Sequence, residues 1–126
     1  MLISKRERNT VMSNDFMSNP QEITQFSVYV TEPSNPIGYE MDKRRPYIVI
    51  SPTHLNNQLG TVIVAPMTRT DKPYITRVPC MFQGKGSYVV LDQLMRVDKS
   101  RLIVFIGEIE VSIRRKVIER LNNMFS

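Results

Sequence analysis

The chain has no tryptophan, one cysteine, one histidine and five glycines among its 126 residues. Each shortage removes a class of chemistry. Cys80 alone cannot close an internal disulfide, and there are no paired cysteines or histidines at metal-ligand spacing, so neither a metal nor a cofactor is expected. The few glycines form no phosphate-cradling loop, and no Ser-His-Asp order or Cys-His pair is present. Long apolar runs are missing too. Nothing approaches the roughly 18 consecutive apolar residues of a membrane span, and the basic residues Lys5, Arg6 and Arg8 are not followed by an apolar core. A cytoplasmic protein, neither exported nor held in a membrane, is the expectation.

What the chain does have is positive charge, with a formal net charge of +5. Residues 1–25 sum to zero (Lys5, Arg6, Arg8 against Glu7, Asp15, Glu22), so the excess lies in residues 26–126, fourteen basic groups against nine acidic. An anionic partner for the folded part is the natural implication. At this length a single domain is expected. Residues 1–25 mix polar and charged residues with isolated apolar ones at no sustained period and read as a flexible extension, leaving 26–126 as the domain.

Within the domain the pattern is mainly β. Alternation in Phe26-Ser27-Val28-Tyr29-Val30 suits a half-buried strand. Tyr47-Ile48-Val49-Ile50 and Thr61-Val62-Ile63-Val64-Ala65 read as buried strands that stop at Ser51-Pro52 and Pro66. Ile75 to Phe82 contains Pro79, which predicts an edge strand or a bulge, and Gly84-Lys85-Gly86 turns it into Ser87-Tyr88-Val89-Val90-Leu91. Asp98 to Arg101 reads as one helical turn before the apolar stretch Leu102 to Ile109. About six strands at short spacing suit a small barrel. The last segment changes period: Ile113, Val117, Leu121 and Met124 recur at helical steps, which predicts an amphipathic helix with Ser112 capping its first turn and Arg120 facing the negative pole of its dipole.

Two places could carry chemistry. His54 falls in a loop after the second strand, where a lone histidine is ordinarily just solvated, and Cys80 ordinarily behaves as a small apolar residue. The run Glu40-Met41-Asp42-Lys43-Arg44-Arg45-Pro46 holds five charged residues directly before a buried strand. Such a run is ordinarily a solvated loop, yet three consecutive cations suit phosphates, and Pro46 biases Arg45 toward an extended shape that fixes where its guanidinium starts. Thr68 closes Val64-Ala65-Pro66-Met67 at a strand end, where a threonine most often only satisfies the backbone.

Five blocks then follow one another: Gly38-x-Glu40-x-x-Lys43-x-Arg45-Pro46, Ile48-Val49-Ile50-Ser51-Pro52, Thr61-Val62-Ile63-Val64-Ala65-Pro66-Met67-Thr68, Val90-Leu91-Asp92-Gln93, and Val97-Asp98-Lys99-Ser100-Arg101-Leu102. In this order and spacing they resemble the MazF/PemK toxins of type II toxin–antitoxin systems. The resemblance implies an α+β, mainly β fold, a small SH3-like β-barrel (CcdB/MazF-like) with a C-terminal amphipathic helix, and a homodimer. It implies a sequence-specific, metal-independent endoribonuclease that cuts single-stranded mRNA. The ribose 2′-hydroxyl attacks its own phosphodiester and leaves a 2′,3′-cyclic phosphate and a 5′-hydroxyl. The family's arginine before proline and the threonine of Val-Ala-Pro-Met-Thr fall on Arg45 and Thr68, and its loop glutamate on Glu40. Lys43, Arg44, Arg69, Tyr39, Tyr74, Gln93 and Arg96 are the expected RNA contacts, and an acidic antitoxin the expected protein partner.

Some positions depart from the pattern. Many relatives have an arginine two residues after Asp-Gln, where this chain has Met95 followed by Arg96. A one-residue shift turns a strand side chain to the other face, so Arg96 substitutes only if a bulge restores the register. PemK-like members have an arginine two residues before the Asp, where this chain has Val90, which leaves Asp92 a loop-supporting role. Two other readings share the fold: a CcdB-like toxin that binds DNA gyrase without cleaving anything, and a degenerate relative that binds RNA without efficient turnover.

Overall fold

The computed structural model describes residues 22–31 and 45–126. Glu40, Lys43, Arg44 and Tyr39 lie outside the described residues. Among them the strands are β1 (Ser27–Thr31), β2 (Pro46–Val49), β3 (Thr61–Thr68), β4 (Arg77–Phe82), β5 (Lys85–Val90), β6 (Met95–Asp98) and β7 (Leu102–Glu108). Helix α1 (Thr53–Gln58) joins β2 to β3, α2 (Val111–Met124) ends the fold, and single 3-10 turns at Leu91–Gln93 and Lys99–Arg101 flank β6.

All pairings are antiparallel, in the order β4-β5-β3-β2-β1-β7, with β6 paired to the first half of β3. Strand β3 runs three residues past the expected stop at Ala65. Its N-terminal residues, Thr61 to Val64, pair with β6, and its last two, Met67 and Thr68, pair with β5. Pro66, which has no N–H to give, sits in the gap between those two partners while still lying opposite Tyr47 of β2. Pro79 lies in β4, the terminal strand of the sheet path, as an edge proline should. The two ends of the path, β4 and β7, approach through side chains: Gln83 Nε2, just past β4, donates to the Ile106 carbonyl at 3.0 Å, and the Phe82 ring packs over Gly107. No strand ladder joins them among the described residues, so the architecture is a seven-stranded curled sheet with a C-terminal helix.

Strand alternation sorts the apolar residues into two layers. Val28, Ile48, Ala65, Met67, Val78, Cys80 and Val89 point to the face that α2 covers with Ile113 and Val117. Leu121 and Met124 complete the helical stripe at the layer's margin. Tyr29, Val49, Val62 and Val64 point to the other face, where Tyr47, Val97 and Leu102 pack beside them. Fully burying each such aliphatic side chain is worth about 1.5–3 kcal/mol, so these two layers are the main source of stability.

Four local expectations differ from what the structure shows. His54 lies in α1 rather than a loop, and it is exposed as expected. Ser112 does not cap α2: the helix starts at Val111 after Glu110, no side chain bonds the free amides, and the Ser112 hydroxyl donates to Glu110 Oε1 at 3.3 Å. Arg120 does not lie along the helix end but donates to the Ile75 carbonyl, clamping α2 to the segment before β4. Residues 22–25, assigned above to the extension, are bonded to the domain. The Gln25 amide donates to Thr53 Oγ1 at 3.0 Å and its side chain to the Ile50 carbonyl at 2.8 Å.

Candidate functional site

The β2–β3 ladder fixes the site. Tyr47 lies opposite Pro66, Ile48 opposite Ala65 and Val49 opposite Val64. The ladder ends at that Tyr47–Pro66 pair; its register continued two residues further would set Arg45 against Thr68, on the face that Tyr47 and Val49 share. Side chains directly opposite in an antiparallel pair have Cβ atoms about 4.5–5.5 Å apart, well within reach of one phosphate group. Arg45 is exposed, and β1 still flanks the chain at Pro46, opposite Val30, so the arginine leaves the sheet from a braced position.

Thr68 is half-buried and its Oγ1 accepts the Thr70 amide at 3.1 Å. That bond holds the oxygen in place and leaves the hydroxyl proton to be donated elsewhere. On its other side Thr68 pairs with Tyr88 of β5, which in turn pairs with Pro79 of β4. Desolvation at the half-buried Tyr88 position pushes its phenol above the ordinary 10, and the Asp71 carboxylate adds to this by its charge and by accepting the phenol hydrogen bond. Tyr88 therefore stays protonated at neutral pH and is not a base.

Sequence reasoning missed Arg77. It opens β4 opposite Val90, so it faces the same side as Arg45 and Thr68, and it stands directly across the ladder from the position where PemK-like sequences carry their arginine. Its Nη1 donates to the Thr70 carbonyl at 3.0 Å, and its guanidinium carbon lies 5.7 Å from the centre of the Tyr74 ring. The only signal in the sequence was a cation at the start of a strand that ends a polar loop. Thr76 beside it donates to Asp92 Oδ1 at 2.8 Å, which ties the turn after β5 to the start of β4 and fits the loop-supporting role read for Asp92.

Of the other expected contacts, Arg69 and Tyr74 are exposed on the loop between β3 and β4, and Gln93 is exposed in the 3-10 turn after β5. Arg96 is not brought to this place within one chain. The β3–β6 register is regular from Thr61 opposite Asp98 to Val64 opposite Met95, with no bulge. Arg96 thus shares a face with Ile63, opposite to that of Thr68, and lies five positions along β3 from it, about 17 Å at ~3.4 Å per residue. An open apolar groove lined by Ile50, Leu55, Ile63, Leu121 and Phe125 also lies on that opposite side and has no polar cluster that could do the chemistry. Among the described residues no group of His, Cys, Asp or Glu could hold a metal ion, and no helix is long and apolar enough to cross a membrane.

Fold and site together define a small antiparallel β domain with Thr68 and Arg77 on one face of its sheet and the exposed Arg45 at the start of β2. From residue 24 to residue 125 the chain matches the PemK-like, MazF-like toxins of type II toxin–antitoxin systems, and it belongs to that family. Solved structures share its fold. The MazE–MazF structure from Deinococcus radiodurans (Form-II) aligns with TM-score 0.70 at 22% identity, covering 83% of this chain and 96% of that one. A mycobacterial endoribonuclease in complex with its cognate antitoxin aligns with TM-score 0.67 at 21% identity, covering 80% and 92%. The Mycobacterium tuberculosis toxin MazF-mt6 aligns with TM-score 0.63 at 23% identity, covering 79% and 95%. No curated protein sequence matches the chain.

Proposed function

We propose that the chain is the toxin of a toxin–antitoxin pair and cuts single-stranded RNA at particular sequences without a metal ion. What supports this reading is membership of the PemK/MazF family, together with a β2–β3 register that, continued two residues past Tyr47 and Pro66, would set Arg45 against Thr68 on one sheet face. The ribose 2′-hydroxyl attacks the adjacent phosphorus, the bond to the 5′-oxygen breaks, and a 2′,3′-cyclic phosphate and a 5′-hydroxyl result. Charge builds on the phosphoryl oxygens, and a guanidinium, whose donors carry a delocalised positive charge, is suited to neutralise it. Thr68, its oxygen fixed by the Thr70 amide, donates its proton to one of those oxygens. A guanidinium has no lone pair free to accept a proton, so Glu40, five residues ahead of Arg45 in the sequence, is assigned the 2′-hydroxyl proton.

Lys43, Arg44 and Arg69 hold neighbouring phosphates, Tyr39 and Tyr74 stack on unpaired bases, and Gln93 bonds a base edge. The regular β6 register leaves Arg96 outside this group in a single chain. The working unit is a homodimer of SH3-like barrels, neutralised by an acidic antitoxin segment that covers the cationic groove. A monomeric mass at micromolar concentration, or an antitoxin complex that still cleaves RNA, contradicts that assembly. The cleavage itself is tested with purified protein and a long RNA in EDTA. Removing one preorganised donor costs about 10²–10³ in kcat, so Thr68→Ala should fall at least that far, and Arg45→Ala further. A DNA strand of the same sequence should bind and remain whole.

A further inference from the structure

Arg77 is held in an unusual way for a strand-end arginine. One of its five N–H donors is used on the Thr70 carbonyl, its guanidinium carbon is within cation–π distance of the Tyr74 ring, and its Nε is enclosed yet has no hydrogen-bond partner among the described residues. The carboxylates on the neighbouring segments are engaged elsewhere, Asp92 by Thr76 and Asp71 by Tyr88. No described carboxylate is in ion-pair contact with Arg77. Thr70 links it to the site: that residue gives its amide to Thr68 and its carbonyl to Arg77, so the guanidinium and the Thr68 hydroxyl are both held by one residue. The enclosed Nε is out of an anion's reach, but apart from the Thr70 bond the Nη donors have no hydrogen-bond partner among the described residues, and a planar, braced guanidinium of that kind matches an anion with two or more oxygens.

We propose that Arg77 is a second phosphate-binding arginine, gripping the phosphodiester next to the one held between Arg45 and Thr68, with Tyr74 as a platform for the adjoining base. This rests on the ribonuclease reading above. Arg77 acts on binding, not on the bond being broken, and Tyr74 under its guanidinium favours a nucleotide over a bare anion.

The test uses Arg77→Gln, which keeps a donor for Thr70 and loses the charge, beside Arg77→Lys and the wild type. Each is titrated with a short single-stranded DNA of mixed sequence over a range of salt, and its KM and kcat are measured on RNA. One lost phosphate contact lowers the log–log salt slope for a single strand by about 0.7. Arg77→Gln should show that loss, an affinity lower by about tenfold at low salt and a raised KM with kcat nearly unchanged; Arg77→Lys should keep the slope. An unchanged slope and KM in Arg77→Gln overturns the assignment, as does a fall in kcat and melting temperature alone, which is what a merely structural brace for Thr70 would give. If wild type neither binds nor cuts RNA, the ribonuclease reading fails first and the Arg77 assignment with it.

Discussion

Asn56 is a polar side chain at the centre of a joint, and replacing it with alanine should cost the protein a large part of its stability. It is 1% exposed on the short helix α1. Its amide nitrogen donates to the Ile23 carbonyl at 2.9 Å and the Ser51 carbonyl at 3.0 Å, and its oxygen accepts the Ser51 hydroxyl at 2.6 Å. The Ser51 oxygen in turn accepts the Ile63 amide at 3.0 Å, so one side chain ties the approach to β1, the end of β2 and the start of β3. Alanine removes three bonds and leaves their partners enclosed. At about 1 kcal/mol for each bond, and more where a carbonyl is left without a donor, the loss is about 3–4 kcal/mol. In a domain of this size that is a fall in melting temperature of about 12–25 °C. Denaturant unfolding of Asn56→Ala, Ser51→Ala and the double variant measures it, and because the two residues share a bond the double variant should lose clearly less than the sum. A loss under about 1 kcal/mol, or strict additivity, would refute this account of the joint.

Other perturbations follow from local geometry. Gly107 has φ of 143° at a bulge in β7, and an added Cβ would lie 3.3 Å from the Phe82 ring, so Gly107→Ala should destabilise by about 1–3 kcal/mol in denaturant unfolding; a neutral result would contradict the strain argument. Burial, then the Glu110 carboxylate, push the Cys80 thiol up to about 11 from an ordinary 9.0. The unfolded chain loses that proton first, so stability should fall as pH rises from about 9 to about 11, and Cys80→Ala should remove that part of the pH dependence. A wild-type thiol that alkylates at neutral pH as fast as the unfolded one would contradict the burial.

The parts of this fold that were legible in sequence are those where polarity and structure agree. Strand β2 is an apolar run between Pro46 and Pro52, the first five residues of β3 are apolar or β-branched, and α2 carries its stripe of Ile113, Val117, Leu121 and Met124 at helical steps. Helix α1 escaped notice because its one buried residue is Asn56, which inverts the usual pattern. Strand β6 escaped because Met95-Arg96-Val97-Asp98 is short and has no fully buried position. Pro66 misled for a different reason: a proline ends a strand only where its N–H is needed, and β3 changes partner at that point. Arg45 and Thr68 could be named from their motifs, but the register that would bring them level comes from the β2–β3 ladder, which sequence alone does not give. Arg77 belongs to the site only through a register and a turn, neither of which is written in its neighbours.

The central claim is most directly tested by incubating a long single-stranded RNA in EDTA with the wild type, Arg45→Ala and Thr68→Ala, and analysing the product ends. The account predicts 5′-hydroxyl ends at a few recurrent sites for the wild type, with both variants folded and inactive. Intact RNA with the wild type, or undiminished cleavage by either variant, would contradict it, and in the first case DNA gyrase becomes the next partner to test.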